Sequence, residues 1–357
     1  MIGAQRLMVK YFNASKSLAS RLVLSVVILS VLLSTSGCGL FGAKRKISVN
    51  PLLTPVSDAG KDRLIQEVNR LATVKSIRGK VDIQFEDTSF ASSGVADQYR
   101  LVDGDLTLQR PGKILLIIQF TFVDIAQMAS DGQHFTVAML KGPEKYRRFV
   151  KGTNNASYPK LAVDTANGGS TPQKQQDDKE TVSALSNLRP QHLTDAFMIR
   201  PIETGGSFIY TQSEFFQDEP DTRRQAKKGA RVVRGYYFLE EFSTNGGDAK
   251  LARRFWFDRV DRLRLARVQT YDDGGRLVTD ISYSNEKTVG SGTTASLPSR
   301  IEITRPQDQY KLSISYQDSA SVELNREIPA RAFVLENKWQ LPEVDLDTGT
   351  KKVTANQ

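Results

Sequence analysis

The sequence predicts an α+β, mainly β fold: one large curved antiparallel sheet of about eleven strands, a half-barrel, covered by a helical lid. Three observations predict it. Runs in which apolar and polar residues alternate follow one another from Ile77 to Leu324, with turn signals such as Asp131-Gly132 between them. No helical pattern separates most of these runs, which argues against parallel βαβ units. A twisted sheet of this size curls instead of staying flat.

Two amphipathic segments provide the predicted lid. Between Asp58 and Val74, apolar residues recur at spacings of three and four, and Ser57 or Asp58 is expected to cap this helix. A second segment, within 185–199, is helical in part and ends before Pro201. Since each apolar stripe must lie on something, we expect both helices to cross the mouth of the half-barrel, with an apolar cavity beneath them.

The strand-like runs differ in how they meet the core. The first, at 77–87, points Val81, Ile83 and Phe85 to one side and polar residues to the other. The run at 114–120 is apolar on both faces and is therefore expected in the middle of the sheet. The other predicted strands lie at 99–109, 125–130, 133–140, 146–150, 208–215, 235–242, 251–258, 263–271, 277–285, 299–305 and 311–324.

These elements define the predicted domain as residues 58–336. A polar insertion near 151–182, rich in Gly, Asn, Thr, Ser and Gln, interrupts it and reads as a mobile loop. Residues 337–357 are expected to form a polar C-terminal tail, and residues 38–57 a tether, with Pro51, Pro55 and little apolar content.

Residues 1–37 have the layout of a secretory signal. Their charged residues are four bases and no acid, and an apolar run at 22–33, too short to span a bilayer, follows the bases. The next residues, Ser34-Thr-Ser-Gly-Cys38, resemble the bacterial lipobox, with Thr35 where leucine is usual. Cys38 is the only cysteine of the chain, so no internal disulfide is possible. We therefore predict an acylated Cys38; the alternative is an idle thiol behind an ordinary signal or membrane anchor.

The residues around the anchor bear on location. Gly39 follows the cysteine where an aspartate would favour inner-membrane retention, so the sequence favours the periplasmic face of the outer membrane. Lys44-Arg-Lys46 either lies along lipid headgroups or belongs to a plain linker. The formal net charge of the whole chain is +9, but its bases are scattered, and export conflicts with nucleic-acid binding.

The order of elements resembles the periplasmic lipoprotein-localisation carriers and receptors, the LolA/LolB-like proteins. An amphipathic helix leads through Gly79 into the first strand, and Gly104-Asp-Leu-Thr-Leu-Gln-Arg-Pro111, the apolar run 114–118 and Ser130-Asp-Gly132 follow in the family's order. A C-terminal stretch from Leu297-Pro-Ser-Arg-Ile301 to Arg305-Pro306 is also similar. The resemblance covers most of residues 58–335, although each motif is short.

The resemblance implies a cavity that takes up acyl chains and, for a lipidated chain, the receptor role, with a soluble periplasmic carrier as the delivering partner. Candidate lining residues are Leu64, Val68 and Leu71 on the lid and Leu106, Leu108, Leu116 and Ile118 on the sheet. In the family's receptor, a hydrophobic residue protruding from the loop after the third strand assists membrane insertion. Phe122 or Val123 would occupy that place, unless both are ordinary core residues of a hairpin.

Enzyme chemistry finds little support. The two histidines, His134 and His192, lie far apart without a metal-binding spacing, and no nucleophile elbow or phosphate-binding loop occurs. We expect no catalysis, no metal and no cofactor. The leading hypothesis is an anchored lipoprotein that binds the acyl chains of lipoproteins or lipids for delivery to the outer membrane. The alternative is a non-catalytic periplasmic scaffold or sensor that binds a protein or envelope component.

Overall fold

The computed structural model describes residues 47–88, 97–98, 101–142, 144, 147–156, 158, 188–244 and 247–348. The chain divides into two compact units, Met1–Asn50 and Pro51–Gln357. Of the first unit, only residues 47–50 are described, as exposed chain without regular structure. The signal segment 1–37, Cys38 and residues 159–187 around the predicted insertion lie outside the described residues.

Within the described residues, the second unit has two complete α-helices, sixteen strands and a short 3-10 helix, and residues 346–348 are also helical. The helices are α1 (Lys61–Ala72) and α2 (Pro190–Phe197), and the 3-10 helix is Ala330–Phe333. The strands are β1 (Ser76–Asp87), β2 (Asp97–Gln98), β3 (Val102–Gln109), β4 (Lys113–Phe120), β5 (Val123–Asp131), β6 (His134–Met139), β7 (Phe149–Thr153), β8 (Phe208–Pro220), β9 (Arg231–Ser243), β10 (Lys250–Asp258), β11 (Arg264–Tyr271), β12 (Leu277–Val289), β13 (Ala295–Arg305), β14 (Tyr310–Tyr316), β15 (Glu323–Leu324) and β16 (Glu343–Asp345).

All of these strands belong to one sheet. Its order is β16-β7-β6-β5-β4-β3-β1-β14-β13-β12-β11-β10-β9-β8, with β2 and β15 added beside β1. Neighbouring strands are antiparallel, except that β16 runs parallel to β7. Within the described residues the edge strands β16 and β8 do not pair, so the sheet is open. The predicted half-barrel class is confirmed, with more strands than the eleven or so expected.

Helix α2 shows how strongly the sheet curves. It contacts β4 and β5 on one side and β13 on the other. Five strand-to-strand steps separate β5 from β13, which in a flat sheet is about 24 Å. A helix of eight residues is only about 12 Å long. The sheet must therefore wrap around α2, and its concave face is the one that carries the core.

The predicted alternation explains which residues form that core. In β1, Val81, Ile83 and Phe85 are buried, whereas the polar residues between them are only half-buried. In β4, Ile114, Leu116 and Ile118 are buried, whereas Leu115 and Ile117 on the other face remain half-buried. Strand β4 lies between β3 and β5, inside the sheet as predicted, but only its concave face is covered by other side chains.

Parts of the predicted tether and of the predicted C-terminal tail pack against the domain. At the start, Pro51 O and Leu53 N both bond to Val233 of β9 at 2.9 Å, and Leu53 is buried. At the end, β16 pairs with β7 and is flanked by the buried Leu341 and Leu346. The tether thus ends before Pro51, and the predicted polar tail contributes a strand.

Two local predictions are wrong in detail. Helix α1 begins after Gly60, so neither Ser57 nor Asp58 caps it. The carboxylate of Asp58 instead accepts hydrogen bonds from Arg259 at 2.5 Å and Tyr237 at 3.1 Å. The strand predicted at 146–150 is β7, which runs on to Thr153, so the first residues assigned to the insertion are part of the sheet.

Candidate functional site: a helical lid over the concave face

Helix α1 presents one apolar face to the sheet. Leu64, Ile65, Val68 and Leu71 recur at helical spacing and are all buried. Glu67 is buried beside them and accepts two hydrogen bonds from the guanidinium of Arg70, at 2.8 and 2.9 Å. The same guanidinium donates to Ser296 O at 2.5 Å, which ties the helix to β13.

Helix α2 adds a second apolar cover. Leu193 and Ala196 are fully buried, and Tyr283 of β12 donates to Ala196 O at 2.9 Å. His192 Nδ1 lies 2.6 Å from the hydroxyl oxygen of Tyr310, and burial holds the pKa of His192 well below its usual value of 6.5. The imidazole is therefore neutral at pH 7 and serves as a buried hydrogen-bonding group of the lid.

Arg110, the residue that follows β3, joins the two helices to the sheet. Its Nε donates to Val74 O, just beyond α1, at 2.8 Å. Its two terminal nitrogens donate to Met198 O at 3.1 Å and Ile199 O at 2.8 Å, just beyond α2. A helix C-terminus carries partial negative charge on its free carbonyls, which suits a cation. Desolvation lowers the pKa of Arg110, so this side chain gives up hydration to hold the carbonyls.

A second link connects the helices to each other. The side-chain amide of Asn69 on α1 donates to Ile202 O at 3.0 Å and accepts from Ile202 N at 2.7 Å. Ile202 follows α2 and is itself buried. The side-chain amide thus exchanges two hydrogen bonds with one backbone residue, as paired residues of a β-ladder do. These bonds hold α1 and the segment after α2 together as one lid.

The structure brings all seven predicted lining residues into one core cluster. None of their side chains is more than 6% exposed, and the lid residues share the cluster with the concave residues of β3 and β4. The seven are Leu64, Val68, Leu71, Leu106, Leu108, Leu116 and Ile118. The two helices thus cover a concave face whose buried side chains are aliphatic on β3 and β4 and partly aromatic on β9, β10 and β12.

The turn between β4 and β5 carries the predicted insertion candidates. Phe122 is 94% exposed and Val123 46% exposed, so neither is a core residue. Thr121 and Phe122 both have positive φ, 48° and 66°, which makes this a two-residue turn of the I′ type. Bulky residues rarely adopt that conformation, since Cβ crowds the carbonyl oxygen. An aromatic side chain is thus held at the tip of a hairpin against its backbone preference.

One surface pocket was not foreseen from the sequence. It has a volume of about 510 Å³ and lies between the turns Pro111–Lys113 and Asp131–Gln133 and the 3-10 helix. The turns approach closely, because Gly132, with φ of 102°, has no Cβ; one would lie 2.6 Å from Pro111 O. The pocket shares no residue with the predicted lining. The Asp131-Gly132 turn signal was visible in the sequence, but its approach to the turn at Pro111–Lys113 was not.

The remaining histidine makes a surface contact. The side chain of His134 is 66% exposed and lies 3.7 Å from the carboxylate of Asp131 at the β5–β6 turn. Among the described residues, no group of three or more His, Cys, Asp or Glu side chains is placed to hold a metal ion. The described part of the chain also contains no helix with the length and apolar content needed to cross a membrane.

Comparison with known proteins finds neighbours only among solved structures. No family model matches the chain, and no curated protein matches it. A LolA superfamily protein from Nitrosomonas europaea is 13% identical, with a TM-score of 0.38, over 78% of this chain and 99% of that one. A DUF1329 family protein from Desulfovibrio piger is 13% identical, with a TM-score of 0.38, over 76% and 95%.

A third neighbour is a domain from Vibrio parahaemolyticus assigned to outer membrane lipoprotein sorting. It is 13% identical, with a TM-score of 0.37, over 76% of this chain and 94% of that one. The superfamily that the sequence resembles is thus present among the solved neighbours. At such identities and TM-scores, the likeness carries no information on what the chain binds.

Proposed function

We propose that this protein is an envelope lipoprotein, anchored through Cys38, that binds acyl chains between the lid and the concave sheet and passes lipoproteins or lipids to the outer membrane. The observation that supports it most directly is the closed lid. Helices α1 and α2 cover an apolar floor, and a single half-buried arginine, Arg110, bonds to the chain beyond both helices by three hydrogen bonds.

The hydrogen bonds of Arg110 are weak enough for a bound ligand to compensate their loss. The three bonds of Arg110 contribute on the order of 3 kcal/mol after desolvation. An acyl chain gains about 0.8 kcal/mol for each methylene that leaves water, so a dozen methylenes supply about 10 kcal/mol. A chain that takes over the apolar contacts of the lifted helices can therefore offset the loss of the Arg110 bonds. No covalent chemistry is needed, and we propose no catalytic role.

The exposed turn supports the delivery step. Phe122 projects from the β4–β5 hairpin, with Phe120 and Val123 also exposed beside it. Such an apolar tip can enter the boundary between headgroups and acyl chains. With an acylated Cys38, the protein is a fixed station at the membrane that accepts cargo from a soluble carrier. The rival function is a scaffold or sensor that holds no lipid.

Photo-crosslinking from two phenylalanine positions tests the proposal. Benzoylphenylalanine replaces Phe197, which is half-buried on α2 against the core cluster, or Phe215, which stacks on Phe238 on the other face of the sheet. With a radiolabelled palmitoyl lipid, we expect crosslinking at position 197 and none at position 215. Mass spectrometry of the protein purified from membranes should find co-purifying lipid. Absence of both signals, with lipoprotein sorting intact after deletion, would favour the scaffold.

A further inference from the structure

The β8–β9 hairpin extends beyond the strand next to it. Its two strands pair over thirteen residues, from Phe208 with Ser243 to Pro220 with Arg231, whereas β10 follows β9 only as far as Tyr236. Five residue pairs lie past that point, which is about 17 Å of two-stranded ribbon. The ladder continues with a bond from Asp221 N to Ala230 O at 2.8 Å. The hairpin thus ends in a projecting loop, Asp221–Ala230, called the tip below.

The tip is strongly basic. Its ten residues include four bases and one acid, a net charge of +3. Arg223 is paired with Asp221 at 2.7 Å, and the hydrogen bond from Arg223 lowers the pKa of Asp221 to about 2. Within the described residues the side chains of Arg224, Lys227 and Lys228 have no partner, and all three residues are exposed. Three free cations therefore point from the end of a ribbon.

The shaft of the ribbon is electrically balanced. Arg231 pairs with Asp218 at 2.7 Å, and Arg234 pairs with Asp258 at 2.7 Å and Glu219 at 3.5 Å. These ion pairs link β8, β9 and β10 where the ribbon leaves the sheet. The positive charge is thus confined to the tip instead of being spread over the hairpin.

The chain that leads from Cys38 joins the domain on this same ribbon. Leu52 forms a parallel bridge with Val233 of β9, on the stretch that β10 leaves unpaired. From there the chain stays close to the neighbouring strands, since Ser57 N donates to Arg259 O at 2.7 Å. Only twelve residues lie between Cys38 and Pro51, so the thirteen steps from one to the other span at most roughly 45 Å.

We propose that the tip docks on the anionic headgroups of the membrane that holds the lipid anchor, and so sets how the domain stands on that membrane. The inference rests on the anchor at Cys38 in the proposed function. Charge complementarity favours a lipid surface, because the tip holds cations but no aromatic or large apolar side chain with which to stack on bases or fill a protein pocket. Attachment of the anchor-side chain to the same ribbon keeps the tip near the bilayer.

The expected strength follows from the number of free cations. A Lys or Arg near an anionic surface contributes about a fivefold gain in binding, so the three together contribute on the order of a hundredfold. Such attraction is screened by salt, since the Debye length falls to roughly 4 Å at about 0.5 M. Docking should therefore require anionic lipid and low ionic strength, whereas acyl-chain binding under the lid should require neither.

The test uses the lipidated protein in vesicles, with Ala226→Cys at the tip. Because an acylated Cys38 has no free thiol, a fluorophore then labels position 226 alone. Labelling of the parent protein would signal failure of the anchor, not of the docking. We expect a headgroup quencher to quench the label in vesicles with roughly a third phosphatidylglycerol. Quenching should fall to background in pure phosphatidylcholine or high salt, and a label at Asp273→Cys, on the exposed β11–β12 turn, should not respond.

Two triple variants with equal charge loss complete the test. R224Q/K227Q/K228Q should lose the quenching. R63Q/K250Q/K287Q, which removes three exposed bases that have no side-chain partner among the described residues, should keep it. Equal quenching in the two variants, or quenching that ignores lipid charge, would overturn the docking proposal. Crosslinking of palmitoyl lipid at position 197 should be the same in both, so its absence with docking intact would count against the acyl-binding function alone.

Discussion

Replacing Arg110 with methionine should open the lid without unfolding the sheet. The substitution keeps an apolar stem and removes the guanidinium, so the carbonyls of Val74, Met198 and Ile199 lose their donor. A buried charge-assisted bond contributes about 1.5–3 kcal/mol, but Arg110 is only half-buried and gives up hydration, so about 1 kcal/mol for each bond is appropriate. The sum, about 3 kcal/mol, shifts the closed-to-open ratio by roughly 150-fold.

Hydrogen exchange resolved by peptide is the assay. In Arg110→Met, amides of α1 and α2 should exchange on the order of a hundred times faster, while those of β10 to β13 keep their protection. Arg300→Met, which removes an arginine bonded to Glu302 and Ser313 on the sheet, should leave the helices unchanged. Arg110→Lys, with one compact donor group, should fall between. Unchanged helix exchange, or an equal increase over the whole domain, would refute the role of the arginine as the lid clasp.

Three further perturbations probe the core around the site. Glu241→Ala leaves the buried Arg253 without its partner at 2.5 Å and should lower the free energy of unfolding by about 3–5 kcal/mol in urea titrations, with much of the loss recovered in Glu241→Leu/Arg253→Met. Because burial depresses the pKa of His192, the unfolded state binds a proton that the folded state does not, and stability falls as the pH drops below about 6.5. His192→Gln should flatten that slope by up to about 1.4 kcal/mol per pH unit between pH 6.5 and 5; parallel curves for the two proteins would contradict this. Gly104→Val places a Cβ 2.8 Å from Ile83 Cδ1, and the resulting overpacking should cost about 1–3 kcal/mol of stability and lower the melting temperature. Thr107→Val, on the half-buried face of the same strand, should leave the melting temperature unchanged.

The sequence was informative where one face of an element is buried. The stripe of α1 and the alternation in β1 and β3 each leave a periodic signal, because most buried positions are apolar. Leu64, Val68, Leu71, Leu106 and Leu108 follow those signals, whereas Leu116 and Ile118 belong to the run at 114–120, which is apolar on both faces. All seven meet in one cluster. Burial and pairing follow from periodicity, whereas an acyl-binding role does not.

Segments without a periodic signal were mispredicted. Strand β8 continues to Pro220, five residues past its predicted end, because an edge strand that is largely exposed on both faces has no alternation to read. Strand β16 has three residues, fewer than any pattern requires. The run predicted at 311–324 breaks into β14 and β15, since its middle, Gln317 to Ser321, is turn and polar chain.

The clasp itself depends on distant partners. Arg110 stands next to Pro111 in the Gly104–Pro111 motif, yet its acceptors lie 36, 88 and 89 residues away. Backbone carbonyls carry no residue signature, so no pattern of side chains marks where an arginine will bind them. The same holds for Asn69 and Ile202, which are 133 residues apart.

One guanidinium that serves two helix ends makes their positions thermodynamically linked. If a ligand displaces α1, Arg110 loses one acceptor, and its hold on α2 changes by whatever free energy the three bonds shared. By reciprocity, anything that loosens α2 must ease the movement of α1 to the same extent. Under the proposed function, the two covers would therefore respond to occupancy as a pair, and a partner that touches only one of them would govern access to the whole concave face.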